Sequence, residues 1–420
     1  MTTPATMART ERSAAAECRL AIFTTHPIQY QAPLFRELAA RPGLHPIVLF
    51  GSRHGLDPSL DKGFGARFQW DIPLLDGYDH AFIENVAANS DVDRFGGIRV
   101  RDAKQILREH DADAVLVLGW QSIAHLQFMR AAHALGLPLL MRGESNLLRS
   151  LPPGLKARIR SLLWVPARKL VYRAMFARVS EFLVIGSRNA DFYRHFGVPD
   201  EKLQWAPYAV DNERFALPFE EHARARRSRR EELGISEDVV IFLDSAKLIP
   251  RKRPLDLLAA FDKVARVSEN AHLIFLGSGP LRPAIEAEID ARGLQGRVSI
   301  TGFVNQREIP TWYAAADCLV LPSDSLETWG LAVNEGMAAG LAAIVSADVG
   351  CAPDLVRAGE NGFQFPLGDI SALAERMIEY AQLSRSEREA MSRRSRAIVG
   401  EFSIDRVADA VVTALAVAAP

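Results

Sequence analysis

Short apolar runs alternate with amphipathic stretches along most of the chain. Leu20-Ala-Ile-Phe23, His45-Pro-Ile-Val-Leu-Phe50, Ala114-Val-Leu-Val-Leu118, Pro138-Leu-Leu-Met141 and Phe182-Leu-Val-Ile185 read as buried strands. Apolar runs of this length between turn residues are what a covered parallel sheet requires. Helical periodicity separates them, near 32–40, 101–110, 123–135 and 187–196. A second series follows, with strands at Val239–Leu243, His272–Leu276, Val298–Thr301, Cys318–Pro322 and Ala343–Val345. Helices fall near 255–264, 281–291 and 306–315, a short one follows at 351–357, and three more close the chain. Strand–helix alternation of this kind predicts α/β architecture, here two doubly wound domains facing across a cleft. The expected divisions are a disordered tail (1–17), an N-terminal domain (18–207), a linker (208–235), a C-terminal domain (236–400) and a final helix (401–420). That final helix is expected to cross back to the N-terminal domain.

Two regions break the rhythm. Residues 51–96 are rich in Gly, Asp and aromatic side chains with weak periodicity, and a segment so long is usually functional, here a wall of an acceptor cleft. Residues 146–180 hold eight basic residues and no acid, with Leu155, Ile159, Leu162 and Leu163 on one helical face. A cationic, apolar-faced helix suits an anionic lipid surface, so a peripheral membrane contact is one expectation. A packed core helix with a solvated basic rim is the other. A further arginine-rich helix is expected at Arg224–Arg230.

Bulk properties narrow the classes. At 420 residues the chain has room for two domains. A net charge of -1 gives no reason to expect nucleic acid. Three widely spaced cysteines fit a reducing compartment, and no metal-ligand spacing accompanies them. No run of 18 apolar residues exists, so a cytoplasmic enzyme is expected, at most peripheral to the inner face of the plasma membrane.

Candidate chemistry centres on Glu327-Thr-Trp-Gly-Leu-Ala-Val-Asn-Glu335, two glutamates separated by seven residues. The preceding apolar strand puts Glu327 at the sheet's carboxyl edge, where open α/β sheets bind ligands. The following helix carries Glu335, and its first turn offers free N–H groups and partial positive charge to an anion. Gly330 permits close backbone approach. A phosphorylated, hydroxyl-rich ligand fits that combination.

The chain resembles retaining glycosyltransferases of family 4, which have two Rossmann-like domains (the GT-B fold). The resemblance is carried by Ser245-Ala-Lys247-Leu-Ile-Pro-Arg-Lys252, Gly277-Ser-Gly279, Thr301-Gly-Phe-Val304, Glu327…Glu335, Gly340, Val349-Gly-Cys-Ala-Pro-Asp354, Glu360-Asn-Gly362 and Val210-Asp211. It implies that Glu335 holds the ribose hydroxyls of a sugar nucleotide and Glu327 those of the transferred sugar. Lys247 and Lys252 would clamp the diphosphate. Gly330 and Leu331 would offer amides to sugar and distal phosphate, and the Gly277 and Val304 turns would complete the donor site. No cofactor or metal is implied, only a UDP- or GDP-sugar as co-substrate and a glycan or lipid-linked acceptor. Lys247 departs from the arginine more usual in the family, which keeps the charge and loses the bidentate fork. The N-terminal half departs further: Thr25-His-Pro-Ile-Gln-Tyr-Gln31 replaces a glycine-rich loop, and Met141-Arg-Gly-Glu-Ser145 lacks the family's histidine. His26 is the candidate to take that histidine's catalytic role, with Arg142 and Glu144 as acceptor-side cleft residues. A sugar-nucleotide epimerase and a non-catalytic binding protein remain as alternatives.

Overall fold

The computed structural model describes residues 17–61, 66–148 and 168–418. The expected tail, and residues 149–167 of the basic stretch, lie outside these described residues. The N-terminal strands are β1 (Cys18–Thr24), β2 (Leu44–Phe50), β3 (Ser59–Asp61), β4 (Ala66–Phe68), β5 (Asp79–Phe82), β6 (Ala114–Leu118), β7 (Leu139–Arg142), β8 (Glu181–Val184) and β9 (Leu203–Trp205). Seven of them form one sheet in the order β5-β2-β1-β6-β7-β8-β9, while β3 and β4 pair as a separate hairpin. Each pairing in the large sheet is parallel. The C-terminal strands are β10 (Val240–Ser245), β11 (Ala271–Leu276), β12 (Val298–Ile300), β13 (Cys318–Leu321), β14 (Ala342–Ser346) and β15 (Gly362–Phe365). They form a parallel sheet in the order β12-β11-β10-β13-β14-β15.

Strand order reverses at β1/β6 in the first sheet and at β10/β13 in the second. Helices leave opposite faces on the two sides of such a point, opening a crevice beyond the strand carboxyl ends. Both expected halves are therefore present, each with its crevice.

Two local differences from the sequence reading have clear reasons. β5 was hidden in the weakly periodic 51–96 region because an edge strand of four partly exposed residues carries no apolar run. The expected linker is largely helical, with Asn212–Phe215 and Phe219–Leu233. Arg230, 1% exposed, fixes the second of these helices to the C-terminal sheet. Its guanidinium donates to Ala315 O at 3.0 Å, Ser236 O at 2.8 Å and the Asp317 carboxylate at 2.8 Å. A buried arginine is tolerated only when its donors are filled in this way.

The helix Ile404–Ala418 ends the described chain, and Val407, Ala408, Val411 and Ala414 join the core of Leu20, Ile22, Phe35, Leu38 and Leu183. It therefore returns from the C-terminal sheet to the N-terminal one, as expected. No helix among the described residues is long and apolar enough to cross a membrane.

Candidate functional site

Beyond β10 the chain turns through Lys247, and Pro250–Lys252 forms one turn of 3-10 helix. This loop lies directly on the turn after β11, where Leu248 N–H donates to Ser278 O at 2.9 Å. A Cβ on Gly277 would stand 2.0 Å from Ala246 O, and one on Gly279 2.5 Å from Leu248 O. These two glycines are thus required by the approach of one backbone to another. Lys247 is half-buried in this stack. On the far side of the switch point, the loop after β13 brings in Glu327. Its carboxylate pairs with Lys252, and Arg251 Nη1 donates to it at 3.1 Å. Burial pushes the Glu327 carboxyl up, but the charges and hydrogen bonds of Lys252 and Arg251 outweigh it and hold the group below the ordinary carboxylate value. Glu327 is a fixed anion and Lys252 a fixed cation, side by side at the sheet edge.

Gly330 caps the next helix, Leu331–Ala339, with φ 102°. A Cβ there would meet Leu321 at 2.9 Å and Val349 at 3.0 Å, so backbone shape and packing both demand glycine. Glu335, 3% exposed, lies on this helix beside Tyr313, Arg214 and, from the N-terminal half, Tyr30. One of its oxygens accepts from Tyr313 Oη at 2.7 Å, while the other is buried with no hydrogen-bond partner among the described residues. Burial raises its carboxyl above the ordinary value, against the Tyr313 hydroxyl, the Arg214 charge and the Tyr30 hydroxyl, all of which favour the anion. An acceptor so placed and unfilled is what a ligand hydroxyl would satisfy. Val304 lies beside this region, in a 540 Å³ cavity shared with Thr301, Phe303, Asn305 and Trp312.

The N-terminal switch point supplies the opposing wall. A 400 Å³ cavity is lined by Thr24, Thr25, Tyr30, Trp120, Gln121, Arg142, Glu144 and Tyr208, with Thr328 contributed by the C-terminal domain. Arg142 spends its guanidinium on main-chain carbonyls, Ala206 O at 2.5 Å and Pro207 O at 3.2 Å, and stacks over Tyr208. Glu144 opens onto the cleft, yet the walls crowd it. Burial raises its carboxyl above the usual range although Tyr208 Oη donates to it at 2.5 Å and Arg142 stands nearby. His26 is placed differently. Its Nδ1 is 2.9 Å from Thr25 Oγ1, its ring meets His54 edge-on at 5.2 Å, and it does not line the interdomain cavity. Burial, then the neighbouring His54, lowers its pKa to about 4, so its imidazole is neutral at pH 7. The positions in that loop that do reach the cavity are Thr25, Ile28, Tyr30 and Gln31.

Direct contacts hold the walls in register. Ser187 N–H and Oγ donate to the Asp354 carboxylate at 3.1 and 3.0 Å, and Arg188 donates to Val349 O at 2.7 Å and Ala347 O at 2.6 Å. Asn334 links Trp329 Nε1 (2.8 Å) to Tyr208 O (2.9 Å). Asn305 Nδ2 also donates to Gln69 O at 2.7 Å, across the outer rim of the cleft.

Sequence reasoning brought Lys247, Lys252, Gly277, Val304, Glu327, Gly330, Leu331 and Glu335 to one edge of the second sheet, and Arg142 and Glu144 to the facing wall. It missed Arg251, Tyr30, Tyr313, Arg214 and Asp244. Asp244 had a visible signal, since it is a carboxylate following Val239–Leu243 inside a buried strand. It is 1% exposed, neither oxygen has a hydrogen-bond partner among the described residues, and burial raises its pKa to about 7.

Residues 225–398 match the family model "Glycosyl transferases group 1". The D-inositol 3-phosphate glycosyltransferase of Xylanimonas cellulosilytica is 27% identical over 58% of this chain and 60% of its own length. The alpha-D-kanosaminyltransferase of Streptomyces kanamyceticus is 26% identical over 68% of this chain and 72% of its own. The chain thus spans about 60% of the length of the first of these relatives. Among solved structures, Anabaena HepE in complex with UDP superposes with a TM-score of 0.70 at 16% identity, covering 95% of this chain and 99% of the other. WaaG, a glycosyltransferase involved in lipopolysaccharide biosynthesis, does so with a TM-score of 0.60 at 18% identity, covering 93% and 97%. These neighbours share the two-domain frame, and the sequence match falls on the domain bearing the glutamate pair. Through that domain the chain is similar to glycosyl transferases group 1.

Proposed function

We propose that the protein transfers a sugar from a nucleotide-diphosphate sugar to a hydroxyl of a glycan or glycolipid, with retention at the anomeric carbon. The observation that carries this reading is the set of groups at the second switch point: Lys252 and Arg251 against Glu327, with a buried unfilled oxygen on Glu335 one helix turn-and-a-half deeper. In this reading Glu335 accepts from the ribose hydroxyls. Glu327 orients the sugar hydroxyls, and the N–H groups at Gly330 and Leu331 meet the distal phosphate. Lys252 and Lys247 stabilise the negative charge that grows on the leaving diphosphate, the largest electrostatic demand of the reaction. The bond from C1 to the diphosphate oxygen breaks as a bond from C1 to the acceptor oxygen forms on the same face. The acceptor proton passes to the departing phosphate oxygen, and nucleoside diphosphate is released. His26 is neutral, turned to His54 and absent from the cavity lining, so in this reading the acceptor wall is assigned to Tyr30, Trp120, Glu144 and Tyr208. The exposed Leu170 and Val171, on the helix at 168–176 that ends the basic stretch, support membrane contact when the acceptor is lipid-linked.

The test is incubation of the purified protein with panels of UDP- and GDP-sugars and acceptors. Nucleoside diphosphate release and the anomeric coupling constant of the product are followed. Steady release with a retained anomer supports the proposal. Nucleotide binding without release would leave a binding protein, and an altered sugar still attached to nucleotide would identify an epimerase.

A further inference from the structure

A second cavity, of 840 Å³, lies at the opposite end of the C-terminal sheet from the glutamate pair. It sits where β10, β13 and β14 begin, between the helices Phe219–Leu233 and Arg385–Gly400. Five arginines line it (Arg226, Arg227, Arg385, Arg388 and Arg396) together with His222. The facing acids are Glu237, Asp238, Asp317 and Glu389. Three of these are engaged: Asp317 and Glu237 by Arg226, and Glu389 by Arg385. Among the described residues Arg388 and Arg396 donate to main-chain oxygens, Leu383 O at 2.5 Å and Ala339 O at 2.8 Å. Exposed Arg227 has no ion pair among the described residues. Like charge is therefore concentrated here. The half-buried His222 feels it, its pKa lowered first by burial and then by Arg396 and Arg226.

Gly340 makes room for this cluster. A Cβ there would lie 2.4 Å from Arg396 Nη2 and 2.8 Å from Ser392 Oγ. The same glycine, at φ 95°, ends the helix whose other end faces the proposed donor site. Arg227, Arg388 and Arg396 thus bring to one cavity three guanidiniums without a carboxylate partner among the described residues, and planar forked donors are the side chains best matched to phosphate. Aromatic surface is at hand too, since Phe219 on the rim is 83% exposed.

We propose that this cavity is a second anion site, distinct from the donor site, that takes a small phosphorylated ligand through Arg227, Arg388 and Arg396. The site is independent of the transferase reading. The titratable groups facing it are His222, Glu237, Asp238, Asp317, Tyr380 and Glu389.

Calorimetric titration of the full chain with inorganic pyrophosphate tests it, using Lys252→Ala to remove the donor-site contribution. The Lys252→Ala protein is expected to keep one pyrophosphate site. Adding Arg227→Ala should weaken that site about tenfold, and adding Arg388→Ala and Arg396→Ala should abolish it. Cavity variants in the otherwise unaltered chain should leave the donor site's affinity for nucleoside diphosphates unchanged. Arg227 is exposed and its loss cannot unfold the domain, so it decides the matter even if the double variant misfolds. No pyrophosphate binding by the Lys252→Ala protein, or binding indifferent to Arg227→Ala, would overturn the proposal, whatever the outcome at the donor site.

Discussion

At the scale of single residues, two carboxylates of one motif have been given opposite environments. Glu327 is surrounded by cations and stays ionised, whereas Glu335 is buried among hydroxyls with one oxygen unfilled. Their variants should therefore differ. Glu335→Ala is expected to raise the dissociation constant for the nucleoside diphosphate about 10- to 100-fold, the usual worth of a hydrogen bond to a charged group. Glu327→Gln should leave that constant within about threefold and lower turnover about 100-fold or more, as expected when charge placed for the transition state is removed. Equilibrium binding and steady-state rates on both variants check this. Asp244 gives a pH prediction. Its folded-state pKa, about 7, lies above its ordinary value of 3.8, so the folded protein keeps a proton that the unfolded chain has lost. Stability is then lost as pH rises from about 4 to 7, by up to about 4 kcal/mol when fully developed. Asp244→Asn removes that dependence. Its denaturation midpoint relative to the parent should climb through this window and level off above it, and a constant difference would refute the assignment.

At the scale of elements, glycines decide where loops can meet. The turn after β11 lies against the 246–248 loop only because Gly277 lacks a side chain. Gly277→Ala should force these backbones apart, cost about 1–3 kcal/mol and weaken nucleotide binding by displacing Lys247. Chemical denaturation and nucleotide titration would show both effects. Most of the framework was legible in the sequence, because the long strands of both sheets are buried on two faces and so carry continuous apolar runs. β5, β9 and β15 were not legible, being strands of three or four residues with mixed burial. Lys252 with Glu327 was legible as a motif across two loops. Tyr30 against Glu335 was not, since their meeting depends on how one domain sits on the other and no local spacing encodes that.

At the scale of the whole molecule, the cleft is held by few polar contacts, among which Ser187 and Arg188 reach across to 347–354. Arg188→Ala should lower turnover several-fold while leaving nucleotide affinity unchanged, because the donor groups all belong to the other domain. Small-angle scattering should register a wider molecule, and unchanged scattering with unchanged rate would deny these contacts a role in alignment. The closing helix has a different consequence. Since Ile404–Ala418 is built into the N-terminal core, the chain passes between the domains twice, and the C-terminal domain is topologically an insertion within the first. A single protease cut between the domains therefore cannot release either one. Two tethers make the cleft a hinge with a defined axis, and the inserted domain can be excised as a cassette by joining residue 207 to residue 401 through a short linker. The remaining protein would keep the Leu20, Phe35, Leu183 and Val411 core, apart from Ala209, and lose every donor contact at one stroke.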